Sequence, residues 1–320
     1  MQPAGNVTLI EQADGLALVD TGGSPGAARR LISEIRRLSR KPVKAVIITH
    51  WHGDHPQGLA QFLEAWPQAR TIATRTTQAH LASRKTMNTP AMFDAAADEA
   101  LYKRGQGFVA YTRGMADQAN TPVEKDGWSA AARLFTKYAE DMRGAVTLST
   151  GEAFDEHLVL PDRRAPVEVR FLCRANTDGD AVVWLPRQKV MISGDLVVAP
   201  LPFGFGSYPA DWLESLARLQ AYEFKVLVPG HGPLQHDRAH VDRVFAAITE
   251  IRGKVQSLVV GNASLDDVRK QIDLNDQAQR FVGDDPWLWR WFAEYRVGPI
   301  VTSAYKEARG EPIVQSLGNE

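Results

Sequence analysis

Thr49-His50-Trp51-His52-Gly53-Asp54-His55 gathers three imidazoles and a carboxylate between positions 50 and 55, directly after the apolar run Ala45-Val46-Ile47-Ile48. The run reads as a short buried strand. So many ligand-type side chains at its end would suit neither a core nor an ordinary turn. Neutral imidazole nitrogens and a carboxylate oxygen are the side-chain ligands of zinc and similar first-row metals. Alternate residues of an extended segment project to the same side, so His50 and His52 can pinch one ion. Asp54 and His55, where the chain turns, can face a second. The competing reading is a solvated polar turn with incidental histidines, and the density of donors argues against it.

Upstream, Val7 to Ile10 and Leu16 to Val19 read as two strands joined by a polar turn. The second ends in Asp20-Thr21-Gly22-Gly23, where a strand-end carboxylate is expected to tie down a nearby loop rather than to bind metal. Ser24-Pro25 is a cap followed by a first-turn proline, and it opens a helix with Leu31, Ile32, Ile35 and Leu38 on one face. Downstream, Gln57 to Ala65 reads as a helix and Thr71 to Ala73 as a strand. This is the rhythm of a layered α/β protein.

Residues 76 to about 145 break that rhythm, being rich in Ala, Met, Lys, Arg and Glu with few strand formers. They are expected to form a helical insertion over or beside the site. Its Met87, Met92, Phe93, Phe108, Tyr111 and Met115 suit internal packing better than a substrate pocket. Strands then resume. Val167, Val169, Phe171 and Cys173 alternate cleanly and run into Asn176-Thr177-Asp178-Gly179-Asp180, Val190 to Ile192 ends in Ser193-Gly194-Asp195, and Lys225 to Val228 ends in Pro229-Gly230-His231-Gly232. Polar groups just past strand ends are where α/β scaffolds place chemistry. The remainder reads as helices, one of them opened by Trp287-Leu288-Trp289-Arg290-Trp291-Phe292, whose aromatics are expected to pack. His236 and His240 are expected on the surface.

The bulk numbers frame this reading. The 320 residues carry 37 Lys and Arg against 38 Asp and Glu, a formal charge of −1, and 44 % are hydrophobic. That balance offers no polyanion-binding surface, so nucleic acid is not an expected partner. No apolar run reaches the length of a membrane span, so no membrane partner is expected either. The single Cys173 cannot form an intramolecular disulfide and reads as a small buried hydrophobe. Compartment and oligomeric state stay open: cytoplasmic as given, or periplasmic if an export leader has been removed.

The strand-borne Thr-His-Trp-His-Gly-Asp-His, the Asn-Thr-Asp-Gly-Asp turn, the Ser-Gly-Asp strand end and the Pro-Gly-His-Gly turn, in that order, resemble the metallo-β-lactamase fold superfamily. The resemblance covers roughly residues 6 to 235. It implies a four-layered αββα sandwich: residues 1–235 as the metallo-β-lactamase-like domain, the insertion at about 76–145, and residues 236–320 as a C-terminal helical extension. Further strand is expected before Val7. The resemblance also implies a site of one or two metal ions, zinc first with iron or manganese as alternatives. One ion would be held by His50, His52 and the residue at 176, and the other by Asp54, His55 and His231, with Asp195 bridging. Most members carry histidine where this chain has Asn176. An amide oxygen is a weaker donor toward zinc, so the first site is expected to be looser.

The function implied is hydrolysis of a small-molecule ester, thioester, lactone or amide by a metal-activated water, with Asp54 orienting the nucleophile and Asn176 positioning water or substrate. β-Lactam turnover, an iron-dependent oxidative reaction and a non-catalytic protein with a decayed site are the alternatives. Fold alone does not choose among them.

Overall fold

The computed structural model describes residues 5–84, 90–94 and 99–313, without the side chains of residues 100, 101, 104 and 108. Met87 and the side chain of Phe108 therefore lie outside the described residues. The chain resolves into two compact units, residues 1–154 with 161–165, and residues 155–160 with 166–320.

The first unit holds a sheet in the order β1-β2-β3-β4-β5: Thr8–Glu11, Leu16–Val19, Val43–Ile47, Arg70–Thr74 and Glu152–Phe154. Only β1 and β2 pair antiparallel; the other pairs are parallel. A parallel strand with neighbours on both sides is covered on both faces and becomes a continuous apolar run. Val46, Ile47 and Ile48 are accordingly fully buried. Helix α1 (Pro25–Leu38) starts where the Ser24 side chain accepts a hydrogen bond from the Ala27 amide, with proline in the first turn. Ile32 and Ile35 of α1, with Leu59 and Phe62 of α2 (Leu59–Ala65), pack with Leu16, Leu18, Val46 and Trp51 into one core.

The expected helical stretch is present as α3 (Arg75–Ala82), a short 3₁₀ turn (Pro90–Phe93), α4 (Glu99–Asp117) and α5 (Pro122–Asp141). Helix α5 packs along α4 and touches α1. The Tyr111 ring, on α4, meets the buried Trp128 of α5 edge to face at 5.8 Å.

The second unit holds the order β10-β9-β8-β7-β6: Val226–Val228, Val190–Ile192, Ala181–Leu185, Val167–Phe171 and His157–Leu160. Here β9 and β10 alone run parallel. Helices α6 (Pro209–Gln220) and α7 (Ala239–Val260) follow, then α8 (Leu265–Gln271), α9 (Asn275–Val282), α10 (Pro286–Arg290) and α11 (Gly298–Ala308), the last packed on α7 and α6. A π-helical turn, Trp291–Arg296, joins α10 to α11.

Two expectations change. His240 is buried, not on the surface: it lies on the α7 stripe with Val241, Val244 and Ile248, and its Nε2 donates to the Val198 carbonyl at 2.9 Å. Burial lowers its pKa, favouring the neutral ring. Cys173 is half-buried rather than enclosed, with Sγ 3.8 Å from Glu214 Oε2, and burial raises its pKa. The Trp-rich segment does pack, with Trp291 and Phe292 buried and their rings against Tyr295 and Phe281.

Candidate metal centre

In the first unit β2 and β3 are parallel neighbours, with Val19 opposite Ile47, so their carboxyl ends leave the sheet side by side. That register sets Asp20, the residue after β2, against the chain emerging from β3. Asp20 Oδ1 accepts the Thr49 amide at 2.8 Å, and Oδ2 accepts the Thr49 hydroxyl at 2.8 Å. Oδ2 also lies 2.9 Å from His55 Nδ1. A carboxylate can only accept from the ring, so His55 carries its proton on Nδ1. The Thr49 hydroxyl has spent its one proton on Asp20, so across the 3.1 Å contact His50 Nδ1 is the donor to Thr49 Oγ1. One buried carboxylate thus fixes the tautomer of two histidines and leaves Nε2 of each with its lone pair. This is the arrangement by which an outer carboxylate prepares imidazole for a metal.

Trp51, between the first two histidines, is buried in the core and stacks on the His80 ring at 4.6 Å, which anchors the loop. The His50 ring lies 4.7 Å from that of His52 and 4.2 Å from that of His55, centroid to centroid. All three histidines are buried. Asp54, 17 % exposed in its side chain, has Oδ2 at 3.9 Å from His55 Nε2. Both the Thr21 amide and its hydroxyl donate to the His55 carbonyl, at 2.9 and 2.8 Å. The expectation that Asp20 ties down a loop holds, and the loop is the histidine-bearing one. The loop thus presents three imidazoles and a carboxylate, donor types that suit a first-row metal ion.

In the second unit the parallel pairing of β9 with β10, Ile192 opposite Val228, brings Ser193-Gly194-Asp195 and Pro229-Gly230-His231 off one sheet edge. Asp195 sits in a 3₁₀ turn whose Gly194 has a φ of 50°, the left-handed region that glycine enters without steric cost. Its Oδ1 lies 3.6 Å from His231 Nε2. A Cβ at Gly230 would meet Asp195 Oδ1 at 1.9 Å, so only glycine lets the two turns approach this closely. Asn176, fully buried, directs its amide nitrogen to Asp195 Oδ2 at 3.4 Å.

Asp180 was not singled out from sequence. It is buried, its Oδ2 accepts the Thr177 amide at 2.5 Å, and burial, aided by the charges of Asp195 and Asp178, pushes its carboxyl up to about 8. Nothing in the spacing of the turn marks it apart from Asp178.

The structure therefore groups His50, His52, Asp54 and His55 in one unit, and Asn176, Asp195 and His231 in the other. The donors fit a first-row divalent ion: imidazole nitrogens, those of His50 and His55 with their tautomers set, and carboxylates.

Comparison with known proteins extends the picture. A linear primary-alkylsulfatase of Pseudomonas sp. (strain ATCC 19151) is 25 % identical over 248 residues, 74 % of this chain and 43 % of the relative, so this chain spans less than half of that protein's length. Among solved structures, the sec-alkylsulfatase Pisa1 from Pseudomonas sp. superposes on 99 % of this chain and 49 % of its own, with a TM-score of 0.67 at 16 % identity. A metallo-β-lactamase from Pontibacter korlensis superposes on 75 % of this chain and 85 % of its own, with a TM-score of 0.51 at 19 % identity. The two mixed sheets with their helices are components of the same α/β fold. The family model described as metallo-beta-lactamase superfamily matches residues 2–231, which include every donor named above, and the chain belongs to that superfamily.

Proposed function

We propose that the protein is a metal-dependent hydrolase in which the donors of the two units close on the same ions. His50 and His52, with Asn176, would hold one ion, Asp54, His55 and His231 would hold the other, and Asp195 would be shared between them; ligand atoms of His50, His52 and Asp195, and of Asp54, His55 and His231, lie within 4.8 Å of one another. Zinc suits this donor set best, with iron or manganese as substitutes. A divalent ion bound there would bring the pKa of a bound water toward neutrality and polarise the bond to be cut.

The chain's own residues do the rest. Asp54, the most exposed of the four loop donors, accepts a proton from the attacking water and orients it. Asp195 would be shared between the ions, and the Asn176 amide, donating to Asp195, holds that carboxylate in place. The single observation that carries this reading is the Asp20 relay, because a buried carboxylate that sets the tautomers of two adjacent histidines prepares nitrogens for a metal.

The bond cut is an ester, thioester, lactone or amide. A sulfate ester is a second reading, supported by the sequence likeness to an alkylsulfatase over 74 % of the chain. The solved alkylsulfatase superposes on 99 % of this chain and the β-lactamase named above on 75 %, both below 20 % identity, so these likenesses carry the fold and leave the substrate to experiment. Elemental analysis followed by turnover of a panel of carboxylic esters, thioesters, lactones, alkyl sulfates and β-lactams tests the proposal. The expected result is one or two bound ions and chelator-sensitive hydrolysis of one class. Bound iron with oxygen uptake and no hydrolysis would favour the iron-dependent oxidative alternative. Folded protein that takes up no ion would refute the reading.

A further inference from the structure

Helix α1 carries its arginines as two adjacent pairs, Arg29-Arg30 and Arg36-Arg37. One member of each pair is neutralised, Arg30 by Asp141 of α5 at 2.7 Å and Arg37 by Glu34 at 2.9 Å. The other members, Arg29 and Arg36, have no carboxylate partner among the described residues. Seven residues make about two helical turns, so these two side chains leave the same face of α1, roughly 10 Å apart along its axis, with Ser33 between them. That face borders α2, and the two helices bound a groove of about 410 Å³. Arg36 lies over the Trp66 ring at 5.5 Å, which holds its guanidinium beside the end of α2.

The α2 wall of the groove supplies Gln61 and Glu64. Gln61 is only 8 % exposed, and its side-chain amide makes no hydrogen bond among the described residues. Oε1 is enclosed, whereas Nε2 is not, and the residue lines the groove. A buried amide normally has partners, because folding takes away its bonds to water. Glu64 has no cationic partner among the described residues either, although two guanidiniums line the same groove.

We propose that this groove binds a small amino dicarboxylate of the glutamate class. The charges match one to one: each guanidinium takes a carboxylate through two parallel hydrogen bonds, and Glu64 takes the ammonium group. Gln61 Nε2 and the Ser33 hydroxyl donate to the carboxylate oxygens, and Ile32 and Ala65 offer apolar surface to the methylenes. A groove of this size falls within the roughly 300–1,000 Å³ usual for small-molecule sites. None of these residues belongs to the candidate ligand set, so the groove is a second site that does not depend on the hydrolase reading.

Calorimetric titration of L-glutamate into the metal-loaded protein at low ionic strength should show one site with a Kd of about 1 mM or tighter. Arg29→Gln and Arg36→Gln, which remove one charge each at the surface, should each weaken binding roughly 10- to 100-fold, the range for hydrogen bonds to a charged group. Glutarate, with both carboxylates and no ammonium group, should bind the unaltered protein at least about 10-fold more weakly. Gln61→Leu keeps the side-chain bulk and should weaken glutamate binding, while its Tm holds or rises by about 2 °C because a buried amide without a partner is gone. Absence of glutamate binding to the unaltered protein would overturn the proposal. Unchanged affinity in Arg29→Gln and Arg36→Gln would do the same, since glutamate would then sit elsewhere, the metal centre included. Equal affinity for glutarate would remove the role of Glu64 and with it the assigned ligand class. A fall in Tm of several degrees in Gln61→Leu would show the amide to be structural and contradict its assignment as a ligand donor.

Discussion

Asp20→Asn is the sharpest perturbation of the relay, because it changes one atom and nothing in shape. Asp20 has a φ of 61°, a left-handed conformation that asparagine adopts as readily, so the backbone has no reason to move. The carboxylate accepts three hydrogen bonds: the Thr49 amide at 2.8 Å on Oδ1, and the Thr49 hydroxyl at 2.8 Å and His55 Nδ1 at 2.9 Å on Oδ2. Asparagine keeps the first through its one oxygen and turns an amide N–H toward the other two donors. Each lost bond to a buried charge is worth about 1.5–3 kcal/mol. His55 can recover part of that by moving its proton to Nε2, so that Nδ1 accepts, but Nε2 is then lost to the metal. The Thr49 hydroxyl, released from Asp20, no longer holds His50 Nδ1 as a donor. Affinity for zinc should therefore fall about 10- to 100-fold, the usual cost of losing such an outer carboxylate. The Tm of the metal-free protein should drop by several degrees. Chelator competition and thermal unfolding measure the two separately. Wild-type zinc affinity in Asp20→Asn would refute the argument that this carboxylate sets the imidazole tautomers.

Asn176→His should tighten the weaker metal site and bring the metal content toward two ions per chain; elemental analysis showing two tight ions in the unaltered protein and no change in the variant would remove the account of Asn176. Asp54→Ala and His231→Ala should each abolish hydrolysis with the helical signal unchanged by circular dichroism, and original activity in either would refute the assignment of that site. Asp180 supplies a pH test. Its folded pKa of about 8 lies above the ~3.9 of an unfolded aspartate. Between those values the folded chain binds the extra proton, so this group's contribution is most favourable below about pH 4 and is lost as pH rises through 8. The Tm of metal-free protein should fall between about pH 5 and pH 9, and Asp180→Asn should flatten that fall. Parallel profiles would contradict it.

The parts of the fold that were legible in sequence are those with a local physical signature. Ser24-Pro25 fixes the start of α1 through a cap and a proline, Val167 to Phe171 alternates because one face of β7 is covered, and Ala45 to Ile48 is apolar throughout because β3 is flanked on both sides. The candidate donors stand out in the sequence because they follow apolar strands. The Asp20 relay was half visible: a strand-end carboxylate can be seen, but its partners lie 29 and 35 residues away and follow from the parallel pairing of β2 with β3.

Other features left weaker traces. His240 shares the period of Val241, Val244 and Ile248, yet a histidine beside a helix start reads as a surface residue. Helix α9 is only eight residues long, so its buried Ala278, Phe281 and Val282 repeat the i, i+3, i+4 spacing just once in a mostly polar run. The π-turn at Trp291–Arg296 interrupts what reads as one continuous helix from Pro286.

The central claim is that the histidine loop and the Asp195 and His231 turns bind the same ions. Anomalous diffraction at the zinc edge from crystals of the metal-loaded protein tests it most directly. The account predicts zinc within about 2.0–2.2 Å of donor atoms from both sets, with Asp195 touching each ion where two are present. Zinc held by the loop histidines alone, with Asp195 and His231 beyond bonding distance, would contradict it.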